Sequence, residues 1–133
     1  MWEVEPSDNY KRRHRHYEKK HRRVLVALLS NLDTFFGALK SGAKIQGTHY
    51  GFMHDEPSGI KAIDQKGGDR NLAQGRLYVY PDEGTKILHL ITICDKTSQQ
   101  KDIQYCKKYV DRLREDAERR KREDQHSDAQ ETI

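Results

Sequence analysis

Leu25, Leu28, Leu32, Phe35 and Leu39 recur at steps of three and four residues, the clearest helical period in the chain. A helix with that stripe turned to the core is predicted, ending near Ser41, where Gly42 suits the cap because glycine enters the left-handed region without penalty. Upstream, "WEVE" at 2–5 alternates apolar with acidic residues and reads as an edge or starter strand. Pro6-Ser7-Asp8 then supplies helix-start chemistry. The following helix has Tyr10, Arg13, His14 and Tyr17 along one side, so its tyrosines are expected to anchor it while its cations fan outward. No Pro or Gly separates the two helices, but a small domain must fold its apolar stripe onto something, and a helical hairpin hinged near His21 is expected.

The second half of the chain has the two-residue period of strands. "GIKAID" at 59–64 reads as a strand, and "RLYVY" at 76–80 places Leu77 and Val79 on one face with Arg76, Tyr78 and Tyr80 on the other. Pro81-Asp82-Glu83-Gly84 turns the chain into "KILHLITIC" at 86–94, which is apolar on both faces and belongs inside the sheet. Residues 43–58 carry Gly47, Gly51 and Pro57 without a sustained period, and 65–75 are glycine-bearing; both read as loops. Thr97 or Ser98 can cap a last helix with Ile103, Cys106, Tyr109, Val110 and Leu113 at helical spacing. Residues 114–133 lack an apolar stripe and are expected to form a solvated, fraying tail on a domain spanning 1–113. The predicted class is α+β, a small antiparallel sheet packed on an N-terminal helical hairpin, with a C-terminal helix.

Composition narrows the functional classes. The 133 residues fit one domain, and 34% hydrophobic against 35% charged residues limits the core. The net charge of +4 is unevenly spread: residues 11–23, "KRRHRHYEKKHRR", hold eight Lys/Arg against one Glu. Arg12, Arg13, Arg15, Lys19, Lys20, Arg22 and Arg23 are candidates for contact with a phosphate-rich partner, the alternative being a solvated helix face. Cys94 and Cys106 are too few for a zinc motif and read as buried thiols in a reducing cytoplasm. His49, His54, Asp55 and Glu56 match no standard metal spacing, so neither metal nor cofactor is expected. No apolar run approaches the ~18 residues of a membrane span. A soluble cytoplasmic protein is predicted.

Arg76 opens one strand and Lys96 follows the end of its antiparallel partner, so the two can converge at one sheet edge. With Lys61 on the preceding strand they would make three cations suited to a reacting phosphate; the alternative is three unrelated surface charges. The order of elements, with an arginine opening "RLYVY", the apolar "LHLITI" and "DK…Q..DI" entering the last helix, resembles the RelE/ParE superfamily of type II toxin–antitoxin toxins over roughly residues 2–110. It is most like the RelE- and HigB-like members.

That resemblance implies ribosome-dependent cleavage of messenger RNA by attack of a ribose 2′-oxygen on the adjacent phosphate, with a cognate antitoxin, the ribosome and mRNA as partners. By it Arg76 would stabilise the phosphate, and Lys96 and Lys61 match basic positions of the family. Tyr105 and Asp102 approximate the residue near the terminal helix, and Tyr105 also reads as a packing residue. The general base stays unassigned between His54 and Asp95. His89, among Ile87, Ile91 and Ile93, reads as a half-buried, hydrogen-bonded residue. The ParE branch implies instead inhibition of DNA gyrase by protein contact, and a non-catalytic nucleic-acid-binding or interaction module of the same fold is a third possibility.

Overall fold

A computed structural model describes residues 1–65, 75–95 and 97–131, with side chains through residue 125. Its elements run β1 (Glu3–Pro6), α1 (Asp8–Lys20), α2 (Arg22–Lys40), β2 (Met53–Asp55), β3 (Lys61–Asp64), β4 (Gly75–Asp82), β5 (Ile87–Asp95) and α3 (Gln99–Glu131). The five strands form one sheet in the order β1-β5-β4-β3-β2. The protein is α+β, but the sheet is mixed rather than antiparallel, because β1 runs parallel to β5.

The parallel strand follows from how the chain protects β5. β1 covers its edge only from Ile87 to Leu90. Beyond that, the Ser7 backbone N–H donates to the Leu90 carbonyl, the Ser7 hydroxyl to the Ile91 carbonyl at 2.7 Å, and Asn9 Nδ2 to Thr92 Oγ1 at 2.7 Å. Ser7 Oγ also accepts the Tyr10 N–H at 3.0 Å, so one residue caps α1 and seals the sheet edge. A parallel β1 is what delivers Ser7 to that place.

His21 separates α1 from α2. Its N–H donates to the Tyr17 carbonyl, its own carbonyl accepts from Leu25, and its backbone lies outside the helical region at φ −141°, ψ 52°. One continuous helix over these residues would be about 50 Å long, too long for both stripes to reach one small sheet. The break lets Tyr10 and Tyr17 pack with Val24, Leu25, Leu28, Leu32, Phe35 and Leu39 against Ile63, Leu77, Val79, Leu88, Leu90 and Ile93. α2 ends in a Schellman motif, with Gly42 at φ +94° donating to Leu39 and Ala43 to Ala38.

The opposite sheet face carries a second core of Ile60, Ala62, Tyr78, Ile91 and Cys94 under Cys106 and Val110 of α3. β5 serves both cores through a bulge: Tyr78 pairs with Thr92 but Val79 with Leu90, leaving Ile91 as the extra residue. The shift turns Ile91 toward α3 while Leu90 and Ile93 stay under α2. Residues 43–58, expected as loop, also contain β2, which pairs with β3.

α3 continues without interruption past the expected start of the tail. Arg114 Nη2 donates to the Ser58 carbonyl at 2.9 Å, and its guanidinium lies 5.8 Å from the Tyr80 ring centre. From residue 117 to 125 every side chain is exposed.

Candidate functional site

Three neighbouring strands each place one polar residue on the α3 face of the sheet. Asp64 of β3 stands opposite Arg76 of β4, and His54 of β2 stands opposite Ala62, two residues from Asp64 on the same face. Their side chains join in a line: Arg76 Nε donates to Asp64 Oδ1 at 2.8 Å, and His54 Nε2 lies 2.6 Å from Asp64 Oδ2. Glu56 Oε1 lies 3.8 Å from Arg76 Nη1.

Asp64 is fixed by its backbone as well. Its N–H donates to the Phe52 carbonyl at 2.7 Å and its carbonyl accepts from Asn31 Nδ2 of α2 at 2.8 Å. The Arg76 guanidinium is half-buried; burial favours its neutral form, but the bond to Asp64 and a further bond to Tyr78 outweigh this and raise its pKa. Tyr78 is fully buried, and burial drives its phenol far above the ordinary range. Arg76 is therefore a cation already committed to two carboxylates, with a protonated phenol at its back.

The remaining expected site residues are dispersed. Lys61 stands opposite Asp55 and Val79, on the α2 face of the sheet, whereas Arg76 is on the α3 face. The period of two puts adjacent register positions on opposite sides, so Lys61 and Arg76 do not converge. Lys61 pairs with Asp55, and its bond and charge hold that carboxyl below its usual range. Lys96 lies outside the described residues. Gly75 stands opposite Asp95, so the end of β5 does reach the start of β4, as expected.

Asp95 closes the turn that leads into α3. Its Oδ1 accepts from the N–H and hydroxyl of Thr97 and from the N–H and hydroxyl of Ser98, at 2.6–3.3 Å. These bonds, led by the Thr97 hydroxyl, lower its pKa and disfavour its taking a proton. Tyr105 is 42% exposed, so it is not a packing residue. It lies with Gln100, Lys101, Gln104 and Lys108 in a shallow groove on the outer side of α3. No hydrogen bond or ring contact joins it to Arg76 among the described residues.

Asp102 is buried beside Cys94. Burial, then the Asp102 charge, pushes the Cys94 thiol up to about 12, so it is no nucleophile at neutral pH. His89 is buried rather than half-buried, between the rings of Tyr80 and Tyr109. Its Nδ1 has no hydrogen-bond partner among the described residues, and desolvation lowers its pKa. The bulge at Ile91 explains the difference, because it turns Ile93 to the other face and leaves His89 among aromatic rings.

Lys11, Arg12, Arg13, Arg15, Lys19, Lys20, Arg22 and Arg23 are all exposed. Tyr10 and Tyr17 hold the other side of α1 in the core, and burial pushes both phenols up to about 12. Tyr10 OH lies 3.0 Å from His14 Nδ1, and His14 Nε2 lies 3.6 Å from Glu18. The result is a cationic ridge on an aromatic anchor.

Comparison with known protein families, characterised proteins and solved structures returns no match. Among the described residues no three His, Cys, Asp or Glu groups gather as a metal site, and no helix is long and apolar enough to cross a membrane. Sequence reasoning missed the His54–Asp64 pair because β2 has only three residues between Gly51 and Pro57. The two polar residues come together only through strand register.

Proposed function

We propose that this protein is a cytoplasmic toxin of the RelE/HigB type, a metal-independent endoribonuclease that cleaves messenger RNA on the ribosome and is restrained by a cognate antitoxin. The observation that carries the reading is the exposed ridge of eight Lys/Arg along α1 and the start of α2. A polyanion docked there releases counterions from its phosphates, the sequence-independent term that dominates RNA affinity. The order of strands and helices agrees with the family pattern only at the level of α+β class, and the partially exposed His54–Asp64–Arg76 line supplies titratable groups for phosphate chemistry.

A protein partner finds support in the other sheet edge. Among the described residues β1 pairs only with β5, and beside it Val4, Val26, Leu29 and Phe36, with Ser30 and Asp33, line a shallow, largely apolar groove. On the toxin reading an antitoxin is a partner of the kind such a groove suits. The same groove favours the ParE-like alternative, in which the target is a protein such as gyrase.

Expression without a partner separates the two. Incorporation of labelled methionine is expected to fall before that of labelled thymidine, with new 5′ ends on translated messages by primer extension. An early fall in DNA synthesis with translation intact replaces the endoribonuclease by the gyrase inhibitor.

A further inference from the structure

We infer that His54 is the general base of RNA cleavage, with Asp64 as its positioning residue and Arg76 as the clamp that fixes Asp64; this rests on the endoribonuclease reading above. The four candidates for a base differ in their surroundings. His89 is buried between Tyr80 and Tyr109 and cannot meet a ribose. Asp95 Oδ1 is taken up by the N–H and hydroxyl groups of Thr97 and Ser98 in the turn that leads into α3. His14 has Tyr10 on one ring nitrogen and Glu18 near the other. His54 has one nitrogen engaged by a fixed carboxylate, and its side chain is 43% exposed.

The arrangement sets the tautomer. Asp64 can only accept, so the nitrogen facing it, Nε2, carries the hydrogen and Nδ1 keeps the lone pair. Asp64 cannot turn away, because its other oxygen holds Arg76 and its backbone is bonded to Phe52 and Asn31. A charged carboxylate at 2.6 Å also stabilises the imidazolium that forms when the base accepts a proton. Arg76 contributes by keeping that carboxylate aligned, which accounts for a guanidinium turned toward Asp64 and Glu56 rather than left free for a phosphate.

The step balances within the RNA and solvent. Nδ1 takes the proton of the ribose 2′-hydroxyl, the 2′-oxygen forms a bond to the adjacent phosphorus, and the bond from phosphorus to the 5′-oxygen breaks. Water protonates the departing 5′-oxygen, leaving a 2′,3′-cyclic phosphate and a 5′-hydroxyl. The imidazolium then returns its proton to solvent. A positioned base of this kind contributes typically about 10²–10⁴-fold.

The test is single-turnover cleavage of a message on programmed ribosomes, followed across about pH 5.5 to 8.5, a range chosen to bracket imidazole ionisation. Full-length native protein, His54→Ala, His54→Gln and Asp64→Asn are compared, each first shown to unfold cooperatively. Both His54 variants are expected to lose about 10²-fold or more, with the native acid limb gone from the residual rate. Added imidazole is expected to restore part of the His54→Ala rate. Asp64→Asn is expected to cost about tenfold in the maximal single-turnover rate while leaving the half-saturating ribosome concentration unchanged, a split that a purely structural role would not give. Persistence of the native acid limb in His54→Ala, whatever the size of the loss, overturns the assignment while the endoribonuclease reading stands. Absence of cleavage by the native protein overturns both.

Discussion

Gly75 opens β4 immediately before Arg76, and a methyl group there has no room. An ideal Cβ would sit 2.5 Å from Val24 Cγ1, 3.4 Å from Leu28 Cδ1 and 3.5 Å from Gln65 Oε1. Val24 cannot swing aside cheaply, since it is β-branched, helical and 2% exposed. Gly75→Ala is therefore overpacking at the contact between α2 and β4, at a cost of about 1–3 kcal/mol, offset by about 0.4–1 kcal/mol from the stiffer unfolded chain. Val24→Ala alone removes two buried methyl groups, about 1.6 kcal/mol by transfer plus the void left behind. In the double variant the new methyl enters space that Val24 has vacated. The two costs should then fall short of their sum by about 1 kcal/mol or more, read from urea unfolding of the four proteins at equilibrium. Additivity within about 0.3–0.5 kcal/mol would show that α2 does not press on Gly75 and would refute the packing.

Three further outcomes are expected. Desolvation holds the folded-state pKa of His89 below the ordinary value of 6.5, against smaller opposing effects of Glu5 and Asp82; the unfolded chain then binds the extra proton, and stability present above about pH 6.5 is lost as pH falls toward the folded value. His89→Phe should flatten this part of the stability–pH curve in urea unfolding, and an unchanged slope would count against a neutral buried imidazole. Replacing Arg12 and Arg13 by Ala should weaken RNA binding in fluorescence anisotropy and reduce the slope of log affinity against log salt by about 0.7–0.9 for each phosphate no longer neutralised, with an unchanged slope placing the RNA elsewhere. Deleting residues 120–133 should change stability by less than about 0.5 kcal/mol, because the described side chains there are exposed, whereas deleting from Arg114 also removes the bond to Ser58 and the packing on Tyr80 and should cost more.

What could be read from the chain was what depends on period and caps. The stripe from Leu25 to Leu39, the Gly42 terminus, the break near His21 and the pairing of 76–80 with 86–94 all rest on residues close together in sequence, and each is found. The direction of β1 was not legible, because parallel and antiparallel edges have the same alternation; what decides it is Ser7, 84 residues from its carbonyl partner at Ile91. β2 was hidden by its length and by the glycine and proline around it. The apolar run of β5 was correctly placed inside the sheet, but the bulge within it could not be seen, and with it the side on which His89 falls.

Of the expected trio of cations, Lys61 and Arg76 lie on the expected strands but on opposite faces, and Lys96 is outside the described residues. Arg76 and Lys61 do lie on neighbouring strands, but between them the register runs Lys61 opposite Val79 and Asp64 opposite Arg76. Three positions along a strand reverse the side from which a side chain projects. Each cation therefore meets its own carboxylate, Lys61 with Asp55 on one face and Arg76 with Asp64 on the other, and neither waits as an unmatched charge. Through Asp64, Arg76 is linked to His54. Across β2, β3 and β4 the line of imidazole, carboxylate and guanidinium uses one residue per strand on one face, and a one-residue slip at either ladder would turn His54 or Arg76 away from Asp64. Register, more than the number of cations, determines which groups on this sheet can act together.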